Sequence, residues 1–143
     1  MLKLLLALAL VVVAVPAVLI GAPVATEDAA IPESCRQPDD VDYSQVGPTD
    51  FGPYAVKVVS WSHAAAGLPP WETSAKAVVG HGLTERSTSD YGVWLDLEST
   101  DLGGYECTWT ADGVTITEPP LDEDGTGGQI THTIPAERFL GGR

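Results

Sequence analysis

The stretch from Asp101 to Thr117 constrains the fold more than any other, because one backbone path has to satisfy both its pattern and its turn. Tyr105, Cys107 and Trp109 alternate with Glu106, Thr108 and Thr110, the period of a strand with one buried and one wet face. Asp112-Gly113 follows, a pair that tolerates the positive φ of a tight hairpin turn. The chain is expected to fold straight back into Val114-Thr115-Ile116. That register sets Ala111 opposite Val114 and Trp109 opposite Ile116, with the apolar side chains of both strands on one face.

Other segments carry the same period. Tyr54 to Trp61, with Val56, Val58 and Val59, reads as a strand between the turn residues Phe51-Gly52-Pro53 and the loop from Ala64 to Pro70. Ala75 to Leu83 reads as another, with Ala77, Val79 and His81 on one face and Lys76 and Val78 on the other; Gly80 and Gly82 suggest a bulge or an edge there. Tyr91, Val93, Leu95 and Leu97 face one way and Trp94, Asp96 and Glu98 the other. After the turn from Leu121 to Gly128, a last strand puts Ile130, His132 and Ile134 opposite Thr131 and Thr133. These runs predict an all-β domain over 54–143, a small antiparallel sandwich. Upstream, Pro32, Pro38, Pro48 and Pro53 crowd the segment 26–53, which reads as an irregular arm or linker.

Residues 1–25 form a separate element. Leu4 to Ala25 holds no charged side chain, and as a helix at about 1.5 Å per residue it is long enough to cross a hydrocarbon core of about 30 Å. Lys3 precedes the run and Glu27 and Asp28 follow it, which orients the C-terminal portion outward. The run is longer than the core of an ordinary signal peptide, and Pro23 spoils cleavage after Ala22 or Ala25. A retained transmembrane anchor is therefore expected, with secretion after signal cleavage as the alternative.

Outside a membrane, the only two cysteines, Cys35 and Cys107, are most simply joined in one disulfide, which would pin the arm to the domain. The formal charge is −13, with all 20 carboxylates beyond Ala25. Nucleic acid is excluded as a partner, because phosphate binding needs a basic footprint. A scattered acidic surface that keeps an exported chain soluble is the simplest account of that charge.

Chemistry-bearing clusters are few. Asp122 and Asp124 sit before a glycine-rich turn and resemble part of a calcium loop, without the later ligands or the closing glutamate; a solvated structural turn is the simpler reading. Asp39-Asp40-Val41-Asp42 is similar in kind. Trp61 and Trp71 flank the Pro-rich loop, as a ligand shelf or as a plug at the end of the core. His63, His81 and His132 lie on three segments, so a histidine metal site is not expected. Ser60, Ser62 and His63 are close in sequence but bring no oriented base or oxyanion site. No residue is assigned a catalytic role, and no cofactor is implied.

Asp101-x-Gly103-x-Tyr105-x-Cys107 resembles the signature that immunoglobulin-type domains carry at the start of strand F. The resemblance implies that the Tyr105 hydroxyl bonds back to the preceding corner and that Cys107 bridges to the other sheet. From Ala77 to Phe139 the chain also looks like small bacterial extracellular β-sandwich domains on membrane anchors. The expectation is a non-enzymatic, membrane-anchored or secreted binding module of the cell envelope. A calcium-stabilised surface domain is the first alternative and a hydrolase with an unrecognised site the second.

Overall fold

A computed structural model describes residues 24–43, 53–64, 71–86, 91–122 and 124–140. By backbone proximity the chain divides into two compact units, Met1–Thr26 with Trp61–Thr73, and Glu27–Ser60 with Ser74–Arg143. In the first, the described contact is between the Thr26 and Ser62 hydroxyls, 2.7 Å apart.

The fold is mostly β. β1 (Val24–Ala30), β2 (Tyr54–Ala64), β3 (Trp71–His81) and β4 (Val93–Leu97) form one antiparallel sheet in chain order. β5 (Glu106–Thr110), β6 (Gly113–Thr117) and β7 (Thr131–Pro135) form the other, also in chain order. A short helix, Ala136–Phe139, closes the described chain. Val56 and Val58 of β2, Ala75, Ala77 and Val79 of β3, and Leu97 of β4 share one apolar cluster with Trp109, Val114, Ile116 and Ile134 of the second sheet. The sheets therefore meet across a common core, as in a sandwich. Fully burying a side chain such as Ile116 contributes about 1.5–3 kcal/mol.

Several expectations hold in detail. Trp94 is exposed and Leu97 buried, as the alternation along β4 requires. Ile134 faces the core from β7. Other expectations need correction. β3 lies between β2 and β4, so Gly80 does not mark an edge of the sheet. Gly80 packs against the Tyr91 carbonyl so closely that a Cβ would collide with it; close approach of two backbones is what the glycine provides. The segment 26–53 is less irregular than its prolines suggest, since β1 fills its beginning and a 3-10 turn spans Glu33–Cys35. β1 also takes up Val24 and Ala25, the last two residues assigned above to the hydrophobic helix; the rest of that helix lies outside the described residues. Among the described residues no helix is long and apolar enough to cross a membrane.

The hairpin forms, with a shifted register. Trp109 pairs with Val114, Cys107 with Ile116 and Thr110 with Gly113, so Ala111-Asp112 makes the turn and Gly113 belongs to β6. The reason lies on the far side of β6. Gly113 pairs with Pro135 of β7 at φ 151°, and a Cβ there would run into the Ile134 carbonyl. Glycine is required by the neighbouring strand, and the turn moves back by one residue. Each partner shifts by two, which leaves every side chain on its expected face.

Candidate functional site

Three features of the sandwich bear on function: a disulfide-capped edge, a buried polar clamp, and an exposed aromatic edge.

Cys35 and Cys107 are joined, with Cα atoms 4.8 Å apart and a separation of 72 positions in sequence. A bridge closing a loop of that length stabilises a fold by about 4 kcal/mol on the loop-entropy account. Cys35 is fully buried. Beside it the Ser34 hydroxyl donates to the Tyr105 carbonyl (3.4 Å) and accepts from the Cys107 N–H (3.4 Å). β5 is an edge strand, and one serine thus occupies backbone groups on its outer flank.

The clamp gathers at the end of the sandwich where β4 leaves one sheet and β5 begins the other. Glu118, just past β6, is 1% exposed. Its carboxylate accepts the backbone N–H of Glu98 (3.0 Å) and of Ser99 (2.8 Å), and His132 Nε2 lies 2.5 Å from Oε1. A carboxylate only accepts, so Nε2 carries the proton in that contact. The Tyr105 hydroxyl donates to the Ser99 carbonyl at 2.7 Å, and the Gly103 N–H donates to Asp101 Oδ1. Burial, the nearby Glu118 and Asp101 carboxylates raise the Tyr105 phenol from its ordinary 10 to about 12, against the opposing effect of the Ser99 bond. A cleft of about 410 Å³ adjoins the clamp, walled by Glu98, Asp101 and Asp122 among others. Glu118 escaped the sequence reading because it lies between a strand and a Pro-Pro pair. Its one signal is a carboxylate two residues beyond a fully apolar position, Ile116, on the core face of β6.

The aromatic edge is β4, the last strand of its sheet. Tyr91 is 79% exposed and Trp94 42%. Trp94 lies on the face away from the shared core, opposite the fully buried Val78, and two residues on, Asp96 bonds Lys76 across the pair at 3.1 Å. The Asp96 side chain remains 87% exposed. Lys57, mid-way along β2, is fully buried, although the Val-Lys-Val alternation sets it on the face away from the core.

The residues singled out from the sequence are mostly dispersed. Asp122 and Asp124 are exposed, and the Asp122 carbonyl accepts from the Gly125 N–H in a turn. Asp39 and Asp40 form an exposed turn, and Val41 returns to the Pro38 carbonyl. Among the described residues no group of three carboxylate, histidine or cysteine side chains is placed to hold a metal. Trp61 is half-buried, while the side chains of Trp71 and His63 lie outside what is described. His81 stacks edge-on against Tyr54 and His132 belongs to the clamp. Ser62 is engaged by Thr26, and Ser60 is half-buried.

Taken together these features define a disulfide-bonded, two-sheet β domain with one aromatic edge. No protein-family model, curated protein or solved structure matches the chain.

Proposed function

We propose that the chain is an exported β-sandwich, membrane-tethered or secreted, that works by binding a partner in or at the cell envelope and performs no catalysis. The observation that carries this reading is the exposure of two large aromatics, Tyr91 just before β4 and Trp94 on it. Most other large aromatics described here are buried in the core; aromatics left in solvent beside a charged pair are characteristic of contact surfaces. The disulfide supports an oxidising location, and the apolar run after Lys3 supports export or anchoring. The immunoglobulin-like character of the fold belongs to the same proposal. Its support is the Tyr105 hydroxyl bonding back to Ser99, as a tyrosine corner does, although both sheets here keep their strands in chain order.

The test is co-sedimentation of the exported domain with an envelope preparation, comparing the wild type with Trp94→Ala and Tyr91→Ala. Retention that falls several-fold in either variant, with unchanged melting, is the expected result. Equal retention by all three proteins would remove the aromatic edge from the function.

A further inference from the structure

We propose that β4 takes up an extended, basic peptide as an added strand, with basic side chains at alternate positions and an apolar one between them. This deepens the binding reading above and rests on it.

The edges at β5 and β4 differ. On β5 the outer flank is occupied by Ser34 and the disulfide. On β4, backbone pairing within the described residues runs only toward β3. An unpaired edge is a template for another strand. β4 holds no proline, and it displays Trp94 instead.

The side chains along β4 then specify the occupant. Trp94 and Asp96 lie on the outer face two residues apart, while Val93 and Leu95 point to the core and stay partly exposed. A strand laid beside β4 must present its own residues with the same alternation. Opposite Trp94 the favoured side chain is a cation over the indole ring. Opposite Asp96 it is again a cation, since a carboxylate accepts more bonds than the one it makes with Lys76. Between them, beside Leu95, an apolar side chain extends the core edge. Charge supports the choice. A second copy of this chain would bring a formal charge of −13 against the first, whereas a basic peptide is attracted at long range.

The experiment titrates the full exported domain with the blocked peptide Lys-Val-Lys-Val-Lys, following the amide resonances of residues 93–97 and the heat of binding. Shifts confined to β4 and its neighbours are expected, with at least about fivefold weaker binding for the same composition ordered Lys-Lys-Lys-Val-Val. Trp94→Ala should weaken binding by about fivefold, Asp96→Asn by about threefold and Asp96→Lys by at least about tenfold; Asp96→Asn preserves the shape if the lysine variant melts early. Two N-methylated peptides, one blocked at the lysine amides and one at the valine amides, separate strand addition from simple charge attraction. One of them should fail to bind. Equal binding of the ordered and scrambled peptides, or full binding by both N-methylated forms, overturns the proposal. If the peptide fails while Trp94→Ala still reduces envelope retention, the basic strand is the wrong occupant and the binding surface stands. If neither responds, both readings fall.

Discussion

At the hairpin end of the sandwich, Tyr43, Tyr54, Trp109 and Phe139 meet edge to face or, for Tyr54 and Phe139, tilted, with ring centroids 5.3 to 6.2 Å apart. Among the described residues the Tyr54 hydroxyl and the Trp109 indole N–H are buried there without a hydrogen-bond partner, while the Tyr43 hydroxyl donates to the Thr110 and Gly113 carbonyls. At the opposite end, Glu118 gathers two backbone N–H groups and His132, and Tyr105 reaches Ser99. One end is closed by apolar area that tolerates polar mismatch, the other by a network in which partners are matched. The difference matters because leaving a buried polar group unmatched costs more than a typical matched bond contributes. The same chemical change should therefore have opposite consequences at the two ends.

The largest expected effect is at the aromatic end. Phe139→Ala removes the ring that Tyr43, Tyr54 and Trp109 all contact, and should cost about 4 kcal/mol in urea unfolding; a loss below about 1 kcal/mol would mean that the ring is not central. Glu118→Ala should cost about 3 kcal/mol, because it strands the N–H groups of Glu98 and Ser99 together with His132. Tyr105→Phe comes next, at about 1–2 kcal/mol, with the Ser99 carbonyl left unmatched. That variant also tests the alkaline limb. The Tyr105 phenol ionises near 10 when unfolded but at about 12 in the fold, so its contribution is complete below pH 10 and is lost as the pH climbs toward 12. Unfolding measured across that window should therefore slope less steeply in Tyr105→Phe than in the wild type. Smallest is Tyr54→Phe, expected within about 0.5 kcal/mol of the wild type or slightly stabilising, since it deletes an unmatched hydroxyl. Equal losses from the two tyrosine substitutions would erase the contrast between the ends.

Legibility in the sequence followed local pattern. β4, β5, β6 and β7 alternate cleanly, and the core faces of all four were readable because each strand has one wet side. The disulfide was readable from the count of cysteines. β1 was not: its sequence, Val-Ala-Thr-Glu-Asp-Ala-Ala, lacks alternation and becomes a strand through its neighbour β2. The turn of the hairpin was misplaced by one residue because Asp112-Gly113 is a strong local signal, while the demand on Gly113 comes from β7, some twenty residues later. Glu118 was illegible for the same kind of reason. Its three partners come from the two residues that follow β4 and from β7, so no window along the chain contains the clamp. The aromatic edge was half legible: Trp94 was assigned to the outer face, but that β4 ends its sheet is a property of topology.

The Ser34 and Cys35 cover over β5 sets an order of events for maturation. The lead-in must settle against that strand before the two sulfurs can be oxidised, and until then the flank of β5 is available to any neighbouring chain. A thiol-reduced population should consequently template its own polymerisation, so that closing the disulfide guards against fibre growth as well as adding stability.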